Sequence, residues 1–400
     1  MKRLFPLAAA SLAALLASCA GKSLNAAGEV ALWSTRDDPE LAESAGSMSG
    51  LAFAYAPRDK HWSALLAQGT AGPDLVVAEW GRDVIEARSA GSLADLAPYG
   101  GRMTSMPFIW KGLRNAFKAE SSVYPASLYC WGLFYNPAVL SSRGLEFPKT
   151  WKAFQASLPE IKKGGAIPIA LGGSSGWPAL AWLGYLDIRM NGIEAYRSLV
   201  SGKRGLGDES LAKVYAILGE WRDAGLIGAA GSAGTWTEAL SAVESGRAAY
   251  ALMGTFAMGR FAIPDAVRWA PLPSAGAKNG EIVAVQGFAL SSGARAPEAA
   301  LALADAYVRR GAAGMVSDAF RVAAIAVDAR AKDSGESSLA SVKGSQEALL
   351  RTGAPLAPQL DRVLPSQAAY DANQVLSDFF RPSSRVGAAQ LGAKMARVSP

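Results

Sequence analysis

Short apolar runs alternate along this chain with longer segments whose apolar residues recur every three or four positions. Residues 29–33, Glu-Val-Ala-Leu-Trp, and Leu75-Val76-Val77-Ala78 are runs of the first kind and predict buried strands, the second entered through the turn Gly72-Pro73-Asp74. Between them His61-Trp62-Ser63-Ala64-Leu65-Leu66 has helical spacing, which gives the β-α-β order of a parallel sheet. Val84 to Arg88 predicts a helix that stops at Ala90-Gly91. Leu128 to Tyr135 is too aromatic and unbroken for anything but a central strand.

Beyond Asn136-Pro137 the period lengthens. Thr150 caps a predicted helix over Trp151 to Ile161, and Ile167 to Leu171 is a short strand closed by Gly172-Gly173. Helices are predicted at Pro178 to Arg189, Ile193 to Ser201, Ser210 to Ala224 and Thr237 to Ser245. Strands follow at Ala248 to Met253 and Glu281 to Leu290, then helices at Ala296 to Arg310 and Tyr370 to Phe380. The Ser- and Gly-rich piece from Lys332 to Gln346 predicts a linker, and the polar tail after Arg381 predicts a loosely held end. No internal repeat of fixed period is visible, and the alternation implies one or two α/β lobes.

Composition narrows the classes. Half of the 400 residues are hydrophobic, enough for a large core. The net charge of +6 falls by the two of Lys2 and Arg3 if the N-terminus is removed, to a mild +4 with no basic block, so nucleic acid is not an expected partner. Cys19 and Cys130 are the two cysteines; if Cys19 is modified at the N-terminus, Cys130 has no partner for a disulfide or a thiolate metal site, and with a single histidine no metal or cofactor is expected. Cys130 reads as a small buried hydrophobe.

The N-terminus carries its own pattern. Lys2 and Arg3 precede an apolar run from Leu4 to Ala17, and small residues lead up to Cys19, which is the order of a secretory signal. A cysteine directly after such a site resembles the lipobox of bacterial lipoproteins. That resemblance implies a signal over residues 1–18, acylation of Cys19, a tether over residues 19–28, and a chain held on the periplasmic or cell-surface face of a bacterial membrane. The alternative is a transmembrane helix, but the run of 14 residues, at about 1.5 Å each, falls short of a roughly 30 Å hydrocarbon core.

A second resemblance spans most of the chain. Gly132-Leu133-Phe134-Tyr135-Asn136, Gly144-Leu145, Pro148-Lys149-Thr150-Trp151 and Phe154 resemble the signature of extracellular solute-binding proteins of ABC importers, in particular the sugar-binding family 1. Gly72-Pro73-Asp74-Leu75-Val76 with Gly91 to Leu96, Ile167 to Gly173 with Trp177, Gly246 to Phe256, and Gly287 to Leu290 before Pro297-Glu298-Ala299-Ala300 follow in the family's order. The resemblance implies a two-lobed α/β periplasmic-binding-protein-like fold of type II, each lobe a sheet flanked by helices, with the ligand cleft between them. It places residues 29–128 and 287–340 in one lobe and 132–284 and 344–390 in the other. Crossing segments are expected near Leu128 to Trp131, Ala284 to Gly287 and Leu339 to Lys343. The implied partners are a saccharide and the importer's permease subunits, and the implied state is a monomer.

Sugar recognition needs hydrogen-bonding groups for hydroxyls and rings for C–H faces, so the 11 tryptophans gain weight. Glu79, Trp80, Arg82 and Asp83 end one predicted strand; the alternative is a charge cluster at a helix N-terminus. Trp33 leads into a loop holding Asp37, with core packing as its alternative. Tyr129 matches a sugar-contacting position of the family, where the maltose-binding branch has a carboxylate. Trp177 matches a stacking position, with a core ring over Trp182 as the alternative. Phe256 and Trp236 are further stacking candidates. Asp361 and Arg362 offer polar contacts, or a salt bridge inside one lobe.

Enzyme readings fare worse. Gly172-Gly173-Ser174-Ser175-Gly176 fits a nucleophile elbow, yet the only histidine, His61, lies upstream, in the wrong order for that hydrolase triad. No G-x-x-x-x-G-K-[ST] loop is present. A glycosidase, needing only two carboxylates, stays open, as does a receptor for a polyamine, phosphodiester or peptide.

Overall fold

The computed structural model describes residues 30–34, 51–55, 62–67, 72–96, 98, 122–229, 234–276, 280–312, 345, 349 and 354–398. The lipobox, the tether, Asp37, residues 339–343 and nearly all of the predicted linker lie outside these residues.

The first elements are β1 (Val30–Ser34), β2 (Leu51–Tyr55), α1 (Trp62–Ala67), β3 (Leu75–Glu79) and α2 (Arg82–Ser89). Then come β4 (Tyr124–Tyr135), α3 (Pro137–Ser141), α4 (Trp151–Lys163), β5 (Ile167–Ala170), α5 (Trp177–Asn191), α6 (Ile193–Val200) and α7 (Ala212–Asp223). They are followed by β6 (Ile227–Gly228), α8 (Trp236–Glu244), β7 (Ala248–Gly254), β8 (Arg268–Ala270), β9 (Glu281–Leu290) and α9 (Pro297–Ala312). The chain closes with β10 (Leu356–Pro358), α10 (Leu360–Val363), α11 (Ser366–Phe380) and α12 (Ala388–Met395).

Local chemistry sets many of these boundaries. The Asn136 side chain accepts from the Ala138 and Val139 amides at 3.0 and 3.3 Å and caps α3, while its Nδ2 donates to the Val243 carbonyl at 2.9 Å. Thr150 caps α4 as expected, and Thr235 with Glu238 forms a capping box at the start of α8. Asp74, in the predicted turn, accepts from the Ala31 amide at 2.8 Å and the Arg295 amide at 2.6 Å, joining β1 to the approach of α9.

The strands run in the order β2-β1-β3-β9-β4-β7-β5-β6, with β10 on β9 and β8 on β4. β1 and β3 are parallel, but β9 enters antiparallel beside β3, so the sheet is mixed rather than purely parallel. β4 and β9 tie the two lobes together. β4 pairs with β9 over Tyr124–Cys130 and with β7 over Trp131–Tyr135. Along β9, Ile282 to Val285 belong to one core, and Phe288 and Leu290 to another.

The larger core lies around the second half of β4, β5, β7 and helices α4, α5 and α7, with Trp131, Trp182, Tyr185, Phe154 and Tyr250 inaccessible at its centre. The β1-β3-β9 sheet buries both faces. Leu32, Leu75, Phe288 and Leu301 lie on one side, and Trp62, Val76, Ala78 and Val84 on the other, as the two-residue strand period requires. The C-terminal tail is not loosely held. Leu391 and Met395 of α12 are fully buried, because an amphipathic turn after the glycines docks on the larger core. None of the described helices is long and apolar enough to cross a membrane.

Candidate functional site

A cleft of about 220 Å³ opens at the carboxyl end of β3, where Glu79, Trp80, Gly81, Arg82 and Asp83 line it together with Val77 and Ala78. Trp62 from α1, Gln286 from β9 and Arg362 from α10 complete the wall. Open α/β sheets bind ligands at such strand ends, where the chain leaves the sheet and its side chains converge.

The Glu79 carboxylate organises the polar side. Tyr129 donates its hydroxyl to Glu79 Oε1 at 2.9 Å, and Arg362 Nε lies 3.2 Å from the same oxygen. Arg362 is 48% exposed against 14% for Glu79, so the guanidinium reaches into the cleft while the carboxylate stays at its wall. Glu79 also holds Arg362 more firmly in its protonated form. Arg82 donates from Nη1 to the Leu364 carbonyl at 2.8 Å, and Ser63 lies 3.2 Å from Asp83 Oδ1. Asp361 sits behind Arg362, with its Oδ1 lacking a hydrogen-bond partner. Burial pushes its carboxyl up to about 6, against the pull of Arg362 and Arg82.

A cluster of rings adjoins this wall through Tyr129. The Tyr129 ring meets Phe256 edge-on at 5.1 Å, and Phe256 meets Trp236 at 6.0 Å. Trp177 packs on Trp131 at 5.8 Å and on Trp236 at 6.3 Å. Trp177, Trp236 and Phe256 are only partly buried, whereas Trp131 is inaccessible. Gly176 delivers Trp177 to the head of α5: its φ is +77°, and a Cβ there would run into the Asn373 carbonyl. Arg260 stacks over the Trp236 ring with its Cζ 5.8 Å from the centroid.

Over residues 61–313 the sequence matches the model of the bacterial extracellular solute-binding proteins. The chain belongs to that family. Two uncharacterized ABC transporter extracellular-binding proteins of Pyrococcus horikoshii are 28% and 26% identical over 142 and 208 residues, 35% and 50% of this chain. Those matches span 31% and 48% of the relatives' own lengths. Among solved structures, the bacterial solute receptor AcbH, reported with an exclusive preference for β-D-galactopyranose, superposes with a TM-score of 0.74. It is 18% identical, over 93% of this chain and 97% of that one. A solute-binding protein in complex with raffinose superposes at 0.65 and 16% identity, over 93% of this chain and 100% of the other. These likenesses carry the fold, the two-lobed α/β arrangement of type II.

Of the candidates read from the sequence, Glu79, Trp80, Arg82, Asp83 and Arg362 line the cleft directly. Asp83 is at the same time in the first turn of α2, so the cleft and helix-terminus readings coincide there. Tyr129, Trp177, Trp236 and Phe256 form the ring cluster, where the ring partners of Trp177 are Trp131 and Trp236 rather than Trp182. Asp361 lies in the layer behind the wall, and Arg362 pairs with Glu79 more closely than with Asp361, which is 3.9 Å away. Trp33 does not line the cleft but packs partly buried against the core of Trp62, Val76 and Ala78. Asp37 lies outside the described residues.

The structure adds Trp62, Gly81 and Gln286 to the wall. Gln286 left a trace in the sequence, as the one polar residue inside the apolar stretch from Ile282 to Leu290. Trp62 and Gly81 left none, since a tryptophan on a helical face and a glycine after a strand are ordinary. Among the described residues no group of histidine, cysteine or carboxylate side chains is arranged to hold a metal ion.

Proposed function

We propose that this protein captures a neutral sugar between its two lobes and delivers it, chemically unchanged, to the permease of an ABC importer. The observation that carries this reading is the make-up of the cleft wall. Glu79 and Asp83 stand against Arg82 and Arg362, and the partly buried Trp80 supplies a ring face. Balanced charge with donors, acceptors and rings suits a polyol, whose hydroxyls want both kinds of partner and whose C–H faces stack. A polyamine would call for an excess of carboxylates, and a phosphodiester for an excess of arginines. The partly exposed rings of Trp177, Trp236 and Phe256 extend the contact beyond the wall.

In this reading the free protein favours an open arrangement, and a ligand touching both lobes shifts the population to the closed one. The lobes are residues 29–128 with 287–340, and 132–284 with 344–390. Acylated Cys19 holds the protein, as a monomer, on the periplasmic or cell-surface face of a bacterial membrane. A thermal-shift screen of the full chain in detergent, against mono- and oligosaccharides, polyamines and amino acids, tests it. A ligand at a hundred times its dissociation constant adds about 2.7 kcal/mol to the folded state. A shift with an intact saccharide is the expected result; a shift only with cationic compounds, or cleavage of the sugar, overturns it.

A further inference from the structure

Residues 79–83 and 359–364 meet along one side of the cleft, and the closeness of that meeting depends on Gly81. A Cβ on Gly81 would lie 2.6 Å from the Arg362 carbonyl oxygen and 3.4 Å from the Arg362 Cβ. Its φ of 175° is extended backbone open to any residue, so the missing side chain answers to the contact and not to the dihedral. Arg82 fastens the same seam through its 2.8 Å bond to the Leu364 carbonyl. The seam fixes where the Arg362 guanidinium stands. Its Nε is engaged with Glu79 and the Tyr129 hydroxyl is a further hydrogen-bond partner of the guanidinium, but five N–H donors outnumber these partners on a side chain that is 48% exposed at the cleft.

We propose that Gly81 is a specificity-determining position: by admitting the close seam it aims the Arg362 fork at two adjacent oxygens of one sugar ring and limits the cleft to a ligand of that size. The inference rests on the sugar-receptor reading and narrows it to a single neutral ring. A planar fork of two donors matches neighbouring oxygens held rigidly on one ring. A volume of about 220 Å³ lies below the roughly 300–1,000 Å³ of pockets that enclose drug-sized ligands, which suits one ring better than a chain of them. A methyl group at position 81 pushes the 359–364 segment back, carries the fork away from the ring and lengthens the cleft. Gly81 therefore acts through Arg362, as a positioning residue.

Isothermal titration of the full chain in detergent with D-glucose, D-galactose, D-xylose, maltose and raffinose, on wild type, Gly81→Ala and Arg362→Lys, tests this. Wild type binds one of the monosaccharides more tightly than maltose or raffinose. Arg362→Lys keeps the charge, loses the fork and weakens that monosaccharide about tenfold or more. Gly81→Ala lowers the ratio of monosaccharide to oligosaccharide affinity about fivefold or more. An equal loss for every sugar in Gly81→Ala, as mere destabilisation would give, overturns the proposal. Should Gly81→Ala fail to fold, Arg362→Lys decides, and an unchanged affinity overturns it. Wild type binding no sugar overturns the receptor reading itself, whereas wild type binding a sugar with both variants unaltered overturns only this inference.

Discussion

Tyr129 is where the polar wall and the ring cluster share one side chain. Its hydroxyl holds Glu79 at 2.9 Å while its ring edge meets Phe256 at 5.1 Å. Tyr129→Phe keeps the ring contact and removes only the donor. Saccharide affinity measured by titration is expected to fall about fivefold, near the 1 kcal/mol typical of one hydrogen bond, with little change in melting temperature. Trp177 poses a different question, since it is half-buried between Trp131 and Trp236 yet still reaches solvent. If its face is a sugar platform, Trp177→Ala costs about 2 kcal/mol of binding. Normal affinity in a folded Trp177→Ala variant would remove that ring from the site and leave it as packing. The residue types of the site were legible in the chain, because glutamate, arginine and tryptophan at a strand end are chemically conspicuous. Their pairing was not, because Glu79 and Arg362 lie 283 positions apart in the chain.

Among the elements, α12 departs most from the pattern of the chain. Its eight residues follow a polar, glycine-containing stretch, and two well-spaced apolar side chains carry it onto the core. Leu391→Ala is expected to cost about 2–4 kcal/mol in urea unfolding, the range for a buried leucine, where a frayed tail would show almost none. The longer elements were readable with their boundaries nearly in place. Thr150 announces its helix by cap chemistry that acts within four residues, and the structure adds the Asn136 and Thr235 caps. Trp33 and Trp62 show the opposite case. Both have large rings in apolar stretches, and only the seating of α1 on the β1-β3-β9 sheet decides that Trp62, almost fully buried, borders the cleft while Trp33 packs partly buried against the same core.

At the scale of the molecule, a buried polar network anchors the two crossing strands to α5. Arg189 donates to the Leu272, Pro273 and Gly280 carbonyls at 2.7, 2.9 and 3.1 Å and faces Glu281 at 3.5 Å. Tyr185 donates to the Trp131 carbonyl at 2.7 Å, and its oxygen lies 3.2 Å from Glu281 Oε2. Burial pushes the Glu281 carboxyl up to about 7, opposed by Arg189, just as burial pushes Asp361 up to about 6. Because both folded values lie above the unfolded ones, the folded state holds more protons between about pH 4 and 7. The stability these groups contribute is therefore full below the unfolded values and is lost as pH rises through the folded ones. Urea unfolding at pH 5 and pH 8 is expected to show this loss in wild type and a smaller one in Glu281→Gln. Equal losses in the two proteins would mean that Glu281 titrates alike in both states.

Hydrophobic period, caps and turn residues act over a few positions, so the sequence by itself determined the order and type of most elements. Its ordered blocks also pointed to the solute-binding family. Strand order is set by pairings between distant segments, and only the tertiary structure decided that β9 would run antiparallel between β3 and β4. The same holds for the cleft. Glu79 at the end of β3, Tyr129 on a crossing strand and Arg362 near the C-terminus become one unit because burial, strand pairing and a side-chain-free Gly81 bring them within hydrogen-bond distance. No local pattern encodes that convergence.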